Sequence, residues 1–535
     1  MSNKNMNPIF SLKNFRSFGE DGADFELAPI TVLTGCNSAG KSSLVKAMEL
    51  LSNQLIDETW SKSNDKLHPS LKLKTISNEL NLGGFGNVLN DHTKDGEMSF
   101  TYRIWSDYLQ EEVICKRVFR TKKNLLKEGF LSDITIEKTD GTIIFNPSIK
   151  IYRDTLLIAG EPIDIENPEL EGGDYFDNIE KNYHNFVLSC SYVDLTEKIK
   201  NFNDKKDIEI INKIEEFRSS LNLVKKQLGT ISPSVYDSKI IYEWNNRWDT
   251  IFKPHSELER MYYKDRTKEE MEKDDRQLFF TLVINEIISP LFLKKLILID
   301  SSTNEIRRVY NFENRGKLSS LLHLLIEKQQ SPTYQSSPFI NHWLNTEFKI
   351  GNSIEIVGMD EEEGIGVKVY LNKNNSKRLL ADEGYGITQL ISILLQIELS
   401  IKMNRHYDAM NDEYYFPDYY ICIEEPEIHL HPKYQSLLAD MFVEAYQKYN
   451  IHFIIETHSE YLIRKLQVMV ADKENKLSSN DVSLNYVEKD ENGVSHNRQI
   501  KINDDGSLLG QFGSGFFDEA LNLAIKLYKS KNVLS

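Results

Sequence analysis

The chain has 535 residues, 40% of them hydrophobic, so it can bury several cores, and its length favours about two to four domains. The 64 Lys and Arg against 81 Asp and Glu give a net charge of -17, which excludes a uniformly basic nucleic-acid coat but leaves room for a local basic groove. Four scattered cysteines without CxxC spacing, no signal-like N-terminus and no long apolar run predict a cytoplasmic protein without membrane contact, disulfide framework or zinc site.

The first predicted elements are a strand, a loop and a helix. The apolar run APITVLTG, residues 28–35, predicts a buried strand, and KSSLVKAMELL, residues 41–51, has the apolar spacing of a helix. Between them lies GCNSAGKSS, which matches G-x-x-x-x-G-K-[ST] in the strand-to-helix context that a phosphate-binding loop requires. An ordinary glycine turn before a helix is the competing interpretation.

This P-loop predicts ATP and Mg²⁺ as ligands. Gly35 and Gly40 let backbone N–H groups wrap the phosphates at a helix N-terminus. Lys41 supplies a cation, and Ser42 supplies a hydroxyl to Mg²⁺. The predicted nucleotide-binding residues of the loop are Gly35, Asn37, Ser38, Ala39, Gly40, Lys41, Ser42 and Ser43.

The centre of the chain is predicted to be β-rich and then helical. Alternation predicts strands from about residue 97 to about residue 160, with a turn at Asp140 and Gly141. Apolar residues stepping by three and four from Ile211 to Leu228 predict a charged helical stretch. The segment KRVFRTKKNLLK predicts either a DNA or RNA contact or a solvated strand edge protected by lysines. Its basic residues are Lys116, Arg117, Arg120, Lys122, Lys123 and Lys127.

Two acidic residues follow a later apolar strand, in the segment YYICIEEPE. A P-loop needs an acidic partner on another strand, so Glu424 is predicted to hold Mg²⁺ through water and Glu425 to deprotonate the attacking water. A zinc site that uses His429 and His431 is the alternative, although their spacing and the lack of further clustered ligands favour structural histidines.

Two more segments predict parts of a nucleotide site. The strand in IHFIIETHSEYLI ends at His458, which could donate a hydrogen bond to the γ-phosphate or could be a buried structural histidine. In LADEGYGITQL, the residues Asp382, Glu383 and Gly384 precede an amphipathic helix whose start could bind phosphate from an adjacent subunit. Further along, NYVEKDENGVSHNRQIKI predicts a hairpin around Asn492 and Gly493.

The order of LKNFRSF, GCNSAGKS, DEGYGITQL, ICIEEPEIHLHP and IETHS resembles the ABC-type ATPase heads of the RecF, Rad50 and SMC lineage, and specifically the branch of OLD-family and Septu (PtuA) defence ATPases. The resemblance implies an α/β fold, with an ABC-type P-loop head of mixed sheet plus helices and a large β-then-helical insertion between P-loop and signature motif. The predicted domains are 1–104, the N-terminal lobe; 105–290, the insertion; 291–470, the C-terminal lobe; and 471–535, a hairpin and helix module.

The resemblance also implies a catalytic dimer and roles for individual residues. ATP would lie between two subunits, with the P-loop, the acids and His458 on one side and the segment from Asp382 on the other. Asn14 and Arg16 would lie near the nucleotide, and Glu427–Pro432 would cross the dimer interface. The catalytic residues would be Glu425, His458 and Lys41, in a homodimer or higher homo-oligomer.

The sequence departs from the family pattern in three places that matter, and one is the lack of an evident glutamine loop after the P-loop helix, where NLGGFGNVLND lies. Asp382 stands at the position of the signature serine, and an acid facing a γ-phosphate would repel it unless the helix starts later, around Gly384 or Gly386. OLD-type enzymes continue into a nuclease domain, whereas the residues after His458 show no nuclease pattern. We therefore expect this chain to control a separate nuclease.

Three functions remain open from the sequence. The leading one is an ATPase switch in a bacterial anti-phage system, which controls a separate effector, and the resemblance implies that this effector is an HNH-type nuclease. The second is a DNA-repair or DNA-clamping ATPase like RecF and Rad50. The third is the motor of a transporter, which EEPEIHLHP and the large insertion disfavour.

Overall fold

The structure is a computed structural model that describes residues 6–56, 72–164 and 287–532, apart from short gaps within the last two ranges. The chain divides into two compact units, each discontinuous in sequence. The first comprises Met1–Ala23, Lys46–Lys294 and Tyr407–Glu413; the second comprises Asp24–Val45, Lys295–His406 and Tyr414–Ser535. The P-loop therefore belongs to the second unit. The domain boundaries expected from the sequence stay a prediction.

The elements in the first part of the chain are mostly strands. They are β1 (Ile9–Lys13), β2 (Ala23–Glu26), β3 (Ile30–Gly35), α1 (Lys41–Ile56), β4 (Lys72–Leu73), α2 (Phe85–Val88), β5 (Glu97–Ser106), β6 (Glu111–Arg120), β7 (Gly129–Lys138), β8 (Ile143–Phe145), β9 (Ile149–Tyr152), β10 (Thr155–Ile158) and β11 (Glu161–Asp164). The predicted strand, loop and helix around the P-loop are thus confirmed. The predicted helical stretch from Ile211 to Leu228 lies outside the described residues.

The second part of the chain alternates strands and helices. It contains α3 (Leu291–Lys294), β12 (Leu296–Ile299), β13 (Thr333–Gln335), α4 (Pro338–His342), a π-helical turn (Trp343–Glu347), β14 (Ser353–Gly358), β15 (Val367–Lys373), β16 (Ser376–Leu379), a 3-10 turn (Leu380–Asp382), α5 (Tyr385–Asn404), β17 (His406–Asp408) and β18 (Glu413–Tyr415). It ends with β19 (Tyr419–Glu424), α6 (Pro432–Tyr449), β20 (Ile451–Glu456), α7 (Glu460–Ala471), a 3-10 turn (Ser479–Asp481), β21 (Val482–Lys489), β22 (Ser495–Ile502), β23 (Leu508–Leu509) and α8 (Glu519–Asn532).

The first unit contains an antiparallel sheet in which β1, β5, β6, β7 and β4 follow one another, with β8 beside β7. Its turn at Gly141 is formed as predicted, with φ +83°. Because β6 lies between β5 and β7, residues 116–120 of the basic segment do not form a strand edge. The predicted nucleic-acid contact also loses Arg117, which is 1% exposed and donates a hydrogen bond to the Tyr102 hydroxyl at 3.1 Å.

Of the other basic residues in that segment, Arg120 pairs with Glu97 at 2.6 Å and Lys116 is exposed. Side chains alternate between the two faces of a strand, so the cations of β6 cannot all lie on one surface. Lys122, Lys123 and Lys127 lie outside the described residues.

The second unit is built on a sheet with the strand order β12, β19, β20, β3, β21, β22, β23. In this sheet β12, β19, β20, β3 and β21 are parallel to one another. Strand β22 pairs with β21, and β23 with β22, in antiparallel orientation. Parallel strands are usually covered on both faces, which explains the continuous apolar runs of β3 and β19. Helices α5, α6 and α7 contribute buried side chains to the same core. The predicted α/β fold is confirmed.

The remaining elements of the second unit extend this core. Strands β13 to β16 form a separate antiparallel sheet that leads through the 3-10 turn into α5. The predicted hairpin is formed by β21 and β22, with Gly493 at φ +80° in its turn. Within the described residues, no helix combines the length and apolar character needed to cross a membrane.

Candidate functional site

The P-loop joins the end of β3 to the start of α1. Three of its residues have the left-handed backbone that lets a short loop curl tightly, with φ +138° at Gly35, +58° at Ser38 and +105° at Gly40. The Ala39 N–H donates to the Cys36 carbonyl at 3.2 Å. The first turn of α1 contains no acidic residue, so its N-terminus presents N–H groups and partial positive charge to an anion.

Lys41 is folded back onto this loop. Its Nζ donates to the Cys36 carbonyl at 3.0 Å and to the Gly35 carbonyl at 3.4 Å, and the side chain is almost fully buried. The Glu456 carboxylate lies 4.0 Å from Nζ. Burial lowers the pKa of Lys41, and the carboxylates of Glu456 and Glu425 oppose that shift. A buried ammonium held mainly by carbonyl groups is suited to contact phosphate oxygens.

The order of the parallel strands brings the predicted residues to one edge of the sheet. Strand β20 lies between β3 and β19, and Glu424 and Glu456 are register partners at the carboxyl ends of β19 and β20. The Glu425 N–H donates to the Glu456 carbonyl at 2.7 Å, and Glu425 has φ +45°. Such a backbone is costly for a residue with a side chain and is often found at functional sites.

His458 lies at the same edge, in the loop that follows β20. Its Nε2 is 3.9 Å from Glu425 Oε1, and its ring is one-third exposed. Burial lowers the pKa of His458, nearby Lys41 lowers it further, and Glu425 opposes both. A neutral imidazole at this position can donate one hydrogen bond to a phosphate or to an attacking water.

The histidines proposed as zinc ligands have other contacts. The His431 Nδ1 accepts a hydrogen bond from the Lys433 N–H at 3.2 Å and so caps α6, while the His429 ring lies 5.6 Å from the Tyr385 ring. In the part of the chain that the structure describes, no group of three or more His, Cys, Asp or Glu side chains is arranged to hold a metal. These contacts favour the structural interpretation of both histidines.

The acidic residues before α5 lie outside the helix. Helix α5 begins at Tyr385 with Gly384 as its N-cap, and Asp382 lies in the preceding 3-10 turn. The Asp382 carboxylate pairs with Arg308, and Glu383 pairs with Arg378 at 3.9 Å. The helix therefore starts after Asp382, next to Gly384, and both acids pair with arginines.

The hairpin supports the P-loop, which the sequence did not predict. The Ser495 hydroxyl donates to the Ala39 carbonyl at 2.6 Å. A side-chain Cβ on Gly35 would lie 2.0 Å from the Val487 carbonyl, so only glycine fits between β3 and β21. The register of β21 beside β3, with Val487 opposite Gly35, creates this close approach.

Asn14 and Arg16 lie in the first unit. Both have left-handed backbones, with φ +56° and +52°, and the Asn90 side chain donates to the Arg16 carbonyl at 2.8 Å. Asn14 is buried and Arg16 is exposed. Their predicted contact with nucleotide stays a prediction.

Comparison with known proteins identifies the family. Residues 9–463 match AAA_15, described as an AAA ATPase domain. The chain belongs to this AAA ATPase family. Residues 477–527 match DUF3696, a protein family of unknown function. No curated protein matches the sequence.

Solved structures of SMC heads are similar over almost their whole length. An Smc head bound to the C-winged helix domain of ScpA covers 93% of this chain and 98% of its own, at 10% identity and a TM-score of 0.34. A second Smc head has an extended coiled coil and is bound to the C-terminal domain of ScpA from Pyrococcus furiosus. The match covers 97% of this chain and 100% of that head, at 12% identity and a TM-score of 0.32. For the head from Thermotoga maritima the match covers 92% of this chain and 98% of that head, at 11% identity and a TM-score of 0.29.

The residues of this AAA ATPase fit ATP with Mg²⁺. The left-handed backbone at Gly40 and the buried ammonium of Lys41 suit a phosphate chain at the start of α1. Ser42 in the first turn of α1 and Glu424 at the end of β19 are oxygen donors of the kind that Mg²⁺ prefers. Mg²⁺ at such sites needs few protein ligands, because phosphate and water complete its octahedron.

Proposed function

We propose that this chain is an ATP-hydrolysing switch of a bacterial anti-phage defence system, which dimerises head to tail on ATP and thereby controls a separate nuclease effector, of the HNH type. The observation that carries the ATPase part is the gathering of Lys41, Glu425 and His458 at one edge of the parallel sheet. The defence role rests on the resemblance to Septu-type (PtuA) ATPases.

Each residue has a role in this proposal. Lys41 binds the β- and γ-phosphates, Glu425 accepts the proton of the attacking water, and His458 donates a hydrogen bond to the γ-phosphate. Ser42 and Glu424 would hold Mg²⁺, which supplies neutralisation of phosphate charge when bound.

The second subunit would supply its signature segment. In the described chain, the start of α5 lies beside the turn after Glu425, because a Cβ on Gly386 would be 2.6 Å from the His429 carbonyl. With Asp382 bound to Arg308, the N-terminus of α5 does not carry an uncompensated acid toward phosphate. We propose that this surface closes on the ATP of the other subunit.

Glu425→Gln tests the ATPase mechanism. Glutamine keeps the size and hydrogen-bonding reach of the side chain but cannot take the proton, so ATP turnover should fall by about 10²-fold or more while ATP binding survives. The variant should then accumulate as an ATP-bound dimer, which light scattering measures as doubled mass.

Glu444→Gln is the matched control, because Glu444 lies on α6 and pairs with Lys448 at 2.7 Å. Its turnover should equal that of the wild type. Glu424→Gln should additionally weaken Mg²⁺-dependent binding. Unchanged turnover in Glu425→Gln would remove Glu425 from the mechanism.

Native co-purification tests the effector. The chain expressed from its own locus should retain a nuclease, identified by mass spectrometry, and Lys41→Ala should abolish protection against phage in the same cells. Recovery of DNA held only in the presence of ATP, without a nuclease, would instead support the DNA-clamping alternative.

A further inference from the structure

Glu427 is a buried carboxyl group that the proposed mechanism does not use. It lies in the turn after Glu425 and is 9% exposed. Its Oε1 accepts a hydrogen bond from the His458 N–H at 2.6 Å. Its Oε2 has no hydrogen-bond partner among the described residues. Burying a carboxyl group is costly, so such a group is retained where its contacts matter.

The loop that carries His458 is fixed from a second side as well. The Ser459 hydroxyl donates to Gln435 Oε1 at 2.7 Å, and Gln435 Nε2 donates to the Leu430 carbonyl at 3.0 Å. The backbone on both sides of the His458 ring is therefore anchored to the segment 427–435. The ring itself is left partly exposed, 3.9 Å from Glu425.

We infer that Glu427 is a positioning residue for ATP hydrolysis, which sets the His458 ring by holding the His458 N–H on its Oε1. The inference rests on the proposed function. The resemblance places Glu427 in an interface segment, whereas in this structure its side chain faces inward, toward the neighbouring loop of the same chain.

The contact requires an acceptor oxygen rather than a negative charge. Burial raises the pKa of Glu427, while the hydrogen bonds from Thr457 and His458 oppose that shift. A protonated carboxyl group keeps one carbonyl oxygen that accepts a hydrogen bond, and so does the amide of glutamine. Methionine has similar length and volume but no oxygen.

Glu427→Gln and Glu427→Met therefore separate positioning from packing. We expect the Gln variant to keep kcat within about twofold, and the Met variant to lose about tenfold or more in kcat with the KM for ATP within about twofold, because a misplaced ring affects the reaction and not ground-state binding. Equal kcat in the two variants would overturn the inference.

A double variant tests whether the effect runs through His458. If Glu427 acts only by placing that ring, Glu427→Met should add no further loss in kcat to His458→Ala, since groups that act as a unit are not additive. If the fold losses in kcat of the two single variants multiply in the double variant, Glu427 does not act through His458.

The control for loss of a partly buried, paired carboxyl group is Asp440→Leu. Asp440 lies on α6 and pairs with Lys465 at 3.0 Å, so its loss should leave kcat unchanged. If Glu427→Met does not fold, Glu427→Asp keeps a carboxylate but shortens the side chain by a methylene group, which draws its oxygen away from the His458 N–H, and should lower kcat in the same direction; a kcat equal to that of the wild type would then overturn the inference. Lack of ATP turnover in the wild type would overturn the proposed function together with this inference, whereas normal turnover with equal Gln and Met variants would overturn the inference alone.

Discussion

At the scale of single residues, Lys41 is the side chain whose surroundings are most specific. Its ammonium is held by two carbonyl groups of its own loop, and the Glu456 carboxylate is 4.0 Å away. Because burial lowers the pKa of Lys41, phosphate oxygens would stabilise its charged form better than the free loop does. Nucleotide binding should therefore depend strongly on this one group.

Lys41→Ala should abolish measurable ATP binding, with an affinity loss of about 100-fold or more, because no other side chain of the loop brings a cation to the phosphates. Isothermal titration with ATP and Mg²⁺ measures this directly. Lys46→Ala, five residues along α1, is the matched control and should bind ATP normally. Wild-type affinity in Lys41→Ala would refute the nucleotide site.

His458 predicts how stability depends on pH. Its pKa is below the ordinary value of 6.5 in the folded chain, so the unfolded chain takes up a proton first as the pH falls. The contribution of neutral His458 to the stability of the folded chain is present above pH 6.5, and it is lost as the pH falls through the pKa that His458 has in the folded chain. The free energy of unfolding, measured with urea between pH 7.5 and pH 5, should fall less steeply for His458→Gln than for the wild type. Equal slopes in the two proteins would show that His458 does not cause the pH dependence.

The sequence predicted the chemistry of these residues better than their contacts. Lys41, Glu425 and His458 each follow a strand in a recognisable motif, so their meeting at one sheet edge could be predicted. The inward orientation of Glu427 could not, because it depends on a loop about thirty residues further along the chain. The burial of Arg117 also depends on neighbouring strands.

At the scale of elements, the start of α5 shows how a helix boundary is decided. The sequence left Asp382, Gly384 and Gly386 as candidates, and the structure begins the helix at Tyr385. The pairing of Asp382 with Arg308 joins residues 74 positions apart, so no local pattern could have indicated it. The two glycines at this boundary have different surroundings.

Gly386→Ala should destabilise the second unit by about 1–3 kcal/mol, because its Cβ would lie 2.6 Å from the His429 carbonyl and the turn after Glu425 would have to move. Gly384→Ala is the matched control, since nothing lies within 4 Å of its Cβ and its φ is -69°. Denaturant unfolding measures both. Equal effects would show that the contact with His429 does not limit stability.

At the scale of the whole molecule, the region that matches the family of unknown function completes the ATPase sheet. Strand β21 pairs with β3 along the full length of the P-loop strand. The sequence predicted the hairpin from its turn, but not its neighbour, because strand pairing between distant segments leaves no local signal. In the described second unit, the sheet thus extends past the end of the AAA ATPase match.

Removal of residues 477–535 should abolish ATP binding and cause aggregation, because β3 would become an edge strand and lose the support of Ser495 at Ala39. Removal of only residues 519–535 is the control. Helix α8 carries exposed Leu523, Ile525 and Tyr528, so its loss should leave the sheet folded and ATP bound. Size-exclusion chromatography and titration with ATP distinguish the two shortened chains.

The close packing of hairpin and P-loop also has an evolutionary consequence. The two matched families meet between residues 463 and 477, yet Val487 lies against Gly35 across that boundary. The close approach is made by the backbone carbonyl of Val487, so it restricts position 35 to glycine whatever side chains the hairpin carries. Ser495 adds a side-chain contact with the Ala39 carbonyl, so a hairpin exchanged between relatives at this boundary would have to supply a hydroxyl at that position to hold the loop in the same way.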